Sequence, residues 1–298
     1  MAKYLIINAD DFGMCKAANI ATMELLEMGG ISSATIMMPC SWAVDACKWT
    51  AQHPEYAIGL HLTLTSEWGK YRWRPVAPEG VASLVDEFGY MYPENDEFEE
   101  NCDIDEVETE IKAQIALAKK FGVEPSHLDN HMGCLYGLNG NTEVLPLTFK
   151  ICGELGYAFR MFRKIKKENI PKSLPVDNSE EMANMLVGGI CRLADSYNVP
   201  LGDHLLFTHW DEKLRSSYEY FREWELNRLA NIEDGEITEI FIHPSIECDE
   251  LKGITSNWQA RVWEHRLFSD PETRKYLESQ GVVYINYRDL VRMRAEGK

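Results

Sequence analysis

Two adjacent aspartates, Asp10 and Asp11, sit where an apolar run gives way to a glycine turn in Tyr4-Leu-Ile-Ile-Asn-Ala-Asp-Asp-Phe-Gly13. The arrangement recurs twice. Ala57-Ile-Gly-Leu-His61-Leu carries a histidine near the end of a short β-like run, and His127-Leu-Asp-Asn-His131 ends another in alternating polar residues. Carboxylate oxygen and imidazole nitrogen are standard ligands of divalent ions, and a strand fixes its side chains well. One carboxylate pair and several histidines, each ending such a run, therefore predict a mononuclear metal site and a metal-dependent hydrolase.

Other polar residues fall at the ends of similar runs: Arg160, Thr208, His209 and His243. Five of the eight histidines lie in such places, which histidines scattered over a surface would not do. Within His127–His131, strand alternation sends positions 127, 129 and 131 to one face. Three neighbours on one strand rarely bind one ion together. The expected division is one histidine as ligand and Asp129 as the carboxylate that orients an imidazole. Each segment alone has a plainer reading: Asp10-Asp11 as a capped turn, His61 as a satisfied core residue, His127 with Asp129 as a buried pair. All three plain readings would have to hold independently.

The elements that must position these groups are short, mostly apolar β-type runs at Tyr4–Asn8, Ala34–Met38, Ala57–Leu62, His127–His131, Ala158–Phe162, Leu205–Trp210, Thr238–His243 and Val282–Asn286. Runs without strict alternation suggest parallel strands covered on both faces. Helix-like segments separate them. The clearest spans Asp105–Phe121, with Asp105 and Glu108 in a capping-box pattern, Gly122 as its stop, and Val107, Ile111, Ile115 and Ala118 as its buried stripe. Ala17–Met28 is similar. The expected fold class is α/β: a distorted or incomplete (β/α) barrel of parallel strands, with the metal site at their C-terminal ends. An open doubly wound sheet is the alternative.

A single catalytic domain over residues 1–298 is expected, interrupted by loop excursions near 68–102 and 163–178. The first is acidic and the second basic, and each is read as solvated loop or as a wall of the site. Trp42, Trp68, Trp73 and Trp210 are candidates to stack on the ring of a ligand. The formal net charge of -18 disfavours nucleic-acid and anionic-membrane partners. Eight cysteines without a C-x-x-C pair read as reduced thiols. The apolar run at the N-terminus is too short for a signal segment, so a cytoplasmic location is expected. Homo-oligomerisation stays open, because the helix-like Tyr287–Ala295 has an apolar side to dock on its own barrel or on a neighbour.

Asn8-Ala-Asp-Asp-Phe-Gly13, Gly59-Leu-His61-Leu, His127-Leu-Asp-Asn-His131 and His243-Pro244, in this order, resemble the YdjC family of carbohydrate deacetylases, which includes the chitooligosaccharide deacetylases. The resemblance implies a barrel-like α/β fold, one divalent ion (magnesium or zinc) and an N-acetylated sugar substrate. By match to the motifs, Asp11, His61 and His131 are the metal ligands, Asp10 the general base and His243 the acid. His209 competes for the acid role, and Arg160 orients Asp10 or binds substrate. Family members commonly carry a further histidine two residues after the ligand, where this chain has Gly133.

Amide hydrolysis needs a nucleophile stronger than water and a stabilised oxyanion, and a bound cation serves both ends. Two other function classes are compatible with parts of the pattern. A phosphoesterase would usually want two ions and anion-binding groups. A non-catalytic sugar- or metal-binding protein on the same scaffold would need neither Asp10 nor His243. Another amidohydrolase is the nearest variant of the main reading.

Overall fold

Leu5–Phe12 is buried without interruption, as expected of a strand covered on both faces. In the computed structural model, which describes residues 2–166 and 179–297, it forms most of strand β1 (Lys3–Phe12), the centre of the sheet. The others are β2 (Ser33–Ile36), β3 (Ala57–Leu62), β4 (His127–Asn130), β5 (Ala158–Phe159), β6 (His204–Leu206), β7 (Ile237–Ile242) and β8 (Val282–Tyr284). All pairings are parallel, in the order β5-β4-β3-β2-β1-β7-β6, with β8 also against β1.

The barrel is incomplete for two reasons. β7 occupies one edge of β1 along Tyr4–Ala9. The other edge is shared, with β8 on Lys3–Leu5 and β2 on Asn8–Phe12, so the eighth run doubles onto the first instead of closing the ring. At the far side, the β5 and β6 segments form no regular ladder and meet through a bridge between Phe162 and Gly202 and a few backbone bonds, among them Arg163 N–H to Gly202 O at 3.1 Å and Lys164 N–H to Asp203 O at 2.9 Å. Helices follow most strands and cover the sheet, and the approach of its two outer strands, β5 and β6, sets aside the open doubly wound alternative.

The expected helix is Ile104–Lys120, with Val107, Ile111, Ile115 and Ala118 buried. Its cap is Asp103 rather than Asp105: the Asp103 side chain accepts from the backbone N–H of Asp105 and Glu106. The second expected helix runs Lys16–Glu27. The C-terminal helix, Tyr287–Ala295, docks on its own barrel, with Tyr287, Leu290 and Met293 packed around Ile6, Ala158, Ile237 and Ile285. The 68–102 excursion is partly ordered by the helix Asn95–Asn101. Of the second excursion, residues 167–178 lie outside the described residues; Lys164 and Lys166 pair with Glu236 and Glu233. No helix among the described residues is long and apolar enough to cross a membrane.

Candidate metal centre and active site

Strand alternation would send Asp10 and Asp11 to opposite faces, yet both line one cavity of about 830 Å³. A bulge resolves this. Ala9 pairs with Ala34 but Phe12 with Ile36, so β1 has one residue more than β2 between the two pairs. Asp11 takes up the excess in the left-handed region, at φ 61°. That conformation is uncommon for a residue with a Cβ, though aspartate tolerates it better than most.

Asp11, His61 and His131 then converge, all three buried. Asp11 Oδ1 lies 3.6 Å from His61 Nε2 and 3.6 Å from His131 Nδ1. Ligands about 2.1 Å from a tetrahedral ion lie roughly 3.4 Å apart, so one ion fits between them. Asp11 Oδ1 is buried with no hydrogen-bond partner, as expected of an atom meant for a cation. The donor set of one carboxylate and two imidazoles suits zinc, and equally other divalent ions.

Each histidine is aimed by a carboxylate on its remote nitrogen. Asp129 Oδ1 lies 2.7 Å from His61 Nδ1, and Glu67 Oε2 lies 2.9 Å from His131 Nε2. Both contacts leave the nitrogen that faces Asp11 free to present its lone pair. His131 sits just beyond β4 in a single tight turn whose next residue, Met132, has φ 55°, so it leaves the strand alternation that His127 and Asp129 obey.

Arg160 follows β5 and grips Asp10 with both ends of its fork, at 2.7 Å to Oδ2 and 2.6 Å to Oδ1. It also reaches Asp129 Oδ2 at 2.8 Å and Glu239 Oε1 at 2.8 Å. Burial would raise the Asp10 carboxyl, but Arg160 and His61 outweigh it and hold it at about 2. Asp10 is therefore an anion throughout the physiological range. Asp11 is likewise held well below the usual range: burial opposes its charge, and Arg261, 2.7 Å from Oδ2, favours it. Arg160 and Arg261, the arginines lining the cavity among the described residues, are thus both paired with carboxylates.

His243 lies just past β7 and lines the same cavity. Its backbone N–H is fixed by Glu264 Oε2 at 2.8 Å. Burial pushes the imidazole down to about 4, although Asp11 favours its charge. His127 is buried away from the cavity; it touches Asn8 Oδ1 at 3.2 Å and stacks on Tyr287 with centroids 3.6 Å apart. Its neighbour across the sheet is Gly59, where a Cβ would come within 2.7 Å of the imidazole.

His209 is not brought to the site. β6 ends at Leu206, and His209 is exposed beyond Phe207 and does not line the cavity. None of Trp42, Trp68, Trp73 and Trp210 lines it either. Trp68 and Trp73 pack around His131 at 6.4 and 5.8 Å, while Trp42 and Trp210 pack against core clusters. The apolar lining comes instead from residues such as Tyr136, Phe162, Ile190, Phe207 and Phe241. Glu94, Asn95 and Asp96 of the first excursion line it as well, so that segment is a wall of the site.

Glu67, Glu239, Arg261 and Tyr287 were not singled out in the sequence. Glu67 has a weak signal, six residues after the candidate ligand His61. The other three are joined to the site only by the fold.

A family model described as YdjC-like protein matches residues 4–279, a match that stops short of the C-terminal helix. A carbohydrate deacetylase of Thermus thermophilus is 37% identical over 278 residues, 92% of this chain and 89% of that protein. One of Thermoanaerobacter pseudethanolicus is 28% identical over 290 residues, 97% of this chain and 99% of its own. A crystal structure from Enterococcus faecalis V583, provisionally described as a cellobiose-phosphate cleavage protein, superimposes with TM-score 0.76 at 27% identity. It covers 97% of this chain and 99% of that one.

Proposed function

This chain belongs to the YdjC-like family, and from that premise we propose that it is a metal-dependent carbohydrate N-deacetylase. The observation that carries the reading is one juxtaposition. An aspartate clamped by a guanidinium fork, Asp10, stands beside the Asp11–His61–His131 triad, whose Asp11 Oδ1 has no partner. Relatives named carbohydrate deacetylase along nearly the whole chain support the substrate class.

The ion held by Asp11, His61 and His131 would supply Lewis acidity toward water and the amide carbonyl. The chain's own residues do the rest. Asp10, ionised and locked in orientation, accepts the proton of the attacking water. A carboxylate held at about 2 is a weak base, so it holds that proton only briefly and returns to its anion as the proton passes on. His243 faces the same space from β7 and delivers a proton to the leaving amine. With its imidazole near 4, it is neutral at rest, so the proton it delivers is the one that Asp10 has taken from the attacking water. Two paired arginines in the lining favour an uncharged acetamido group over a phosphoester, whose recognition calls for free cationic groups.

The test is acetate release from N-acetylglucosamine oligomers and simple N-acetyl sugars, with metal-stripped protein resupplied with single divalent ions. Release that needs an ion and disappears in Asp10→Asn supports the proposal. Stoichiometric metal binding without release from any of these substrates rejects it.

A further inference from the structure

Tyr287, the first residue of the C-terminal helix, is fully buried although it lies far from the reacting atoms in sequence and touches none of them. Its hydroxyl donates to Glu239 Oε2 at 2.5 Å. Glu239 Oε1 in turn accepts from Arg160 Nε at 2.8 Å, and Arg160 holds Asp10 by both oxygens. A second path leaves the same side chain through its ring. Tyr287 stacks on His127 with the planes 7° apart, His127 Nε2 lies 3.2 Å from Asn8 Oδ1, and Asn8 Nδ2 donates to Asp10 Oδ1 at 2.9 Å.

We propose that Tyr287 is a positioning residue for the deacetylation reaction, fixing the carboxylate of Asp10 through Glu239 and Arg160 on one side and through His127 and Asn8 on the other. The inference rests on the deacetylase reading for its kinetic consequence, though not for its structural one.

The geometry explains why a core tyrosine is used here and not a phenylalanine. Glu239 is a carboxylate buried beneath the site, and burial pushes it toward its neutral form. It stays useful to Arg160 as a charged acceptor only while other donors satisfy it, and the Tyr287 hydroxyl is such a donor. Without that bond Glu239 has one oxygen unsatisfied and turns or takes up a proton. Arg160 is then drawn toward Asp129, 2.8 Å away, and its fork no longer lies flat against Asp10. The ring path keeps Asn8 from following. Tyr287 is also well held: Asn286 and Asp289 form a reciprocal cap at the start of its helix.

The experiment compares wild type, Tyr287→Phe and Glu239→Gln as full-length, metal-loaded protein. Tyr287→Phe keeps the ring stack and removes only the hydroxyl. The expected result is a fall in kcat of roughly tenfold or more, as removal of outer partners gives elsewhere, with KM and metal affinity within about twofold of wild type. Crystal structures of the metal-free proteins supply a readout independent of turnover: Asp10 should leave its two-bond contact with Arg160 in the variant. Wild-type kcat in Tyr287→Phe, or an undisturbed Asp10–Arg160 pair in its crystal structure, overturns the proposal. Should Tyr287→Phe fail to fold, Glu239→Gln, which lies on the same path, decides by the same measures. If wild type releases no acetate from any sugar, the deacetylase reading falls, and the position of Asp10 in the variant crystals still decides this inference.

Discussion

Both terminal nitrogens of Arg160 meet both oxygens of Asp10, 150 residues earlier in the chain, at 2.7 and 2.6 Å in a buried pocket. Planar two-point contact fixes the rotation of the carboxylate as well as its distance. Arg160→Lys keeps the charge and loses the fork. We expect kcat to fall roughly 10²-fold, the scale of a misplaced reacting group, with metal stoichiometry unchanged. Asp10→Asn should lose about 10²–10⁴-fold, the range for removing an acid–base group. Steady-state kinetics with metal analysis checks both; an Arg160→Lys enzyme at wild-type rate would show that the fork is dispensable.

The strand-end positions of Asp10, Asp11, His61, Asp129 and His131 were legible because apolar runs announce strands and polar residues at their ends stand out. What brings Asp10 and Asp11 to one side was not. Alternation separates them, and only a bulge with Asp11 at φ 61° rejoins them. Arg261 and Tyr287 were invisible because their value depends on partners some 250 and 50 residues away, and no local pattern records such pairings. His209 misled for the opposite reason. Leu205–Trp210 reads as one run, but the strand stops at Leu206 and the chain turns outward. The Asp103 cap was displaced by two residues because Asp103 and Asp105 are chemically equivalent choices, and only the backbone decides.

Glu67 is the most approachable support of the candidate metal site, since its side chain is only partly buried and its bond to His131 Nε2 is direct. Glu67→Gln should preserve the fold and weaken metal binding or activity about 10–100-fold, the usual cost of removing a carboxylate that orients a ligating histidine. Competition against a chelator measures it. Unchanged affinity and rate would mean that His131 is held by packing against Trp68 and Trp73 alone.

Gly59, in β3, tests how closely β3 and β4 must pack. A Cβ there would lie 2.4 Å from the His127 carbonyl oxygen and 2.7 Å from its ring. The nearest atom is backbone in a paired strand, which cannot move aside cheaply. Gly59→Ala should therefore destabilise by roughly 3 kcal/mol, the upper part of the range for overpacking a core. A urea midpoint within error of wild type would show that β3 and β4 can separate locally without penalty.

Metal binding should release protons and strengthen steeply with pH. Burial disfavours charge on His131, but Glu67 and Asp11 outweigh it and hold the imidazole up at about 10. His61 is also raised: burial opposes the charge, and Asp129 and Asp10 prevail. Both histidines therefore favour the proton in the metal-free protein, and an ion must displace it to reach their lone pairs. The sign follows. A raised folded value stabilises the metal-free protein fully below the unfolded value near 6.5, and the His131 share of that stability is lost as pH rises through about 10. Metal affinity runs the other way, rising up to about tenfold per pH unit for each proton displaced. Titration calorimetry in buffers of different ionisation enthalpy counts those protons directly, and Glu67→Gln should reduce the count because it removes a charge that holds the His131 proton. Heats independent of buffer, with affinity flat between about pH 6 and 8, would contradict proton-for-metal exchange at this site.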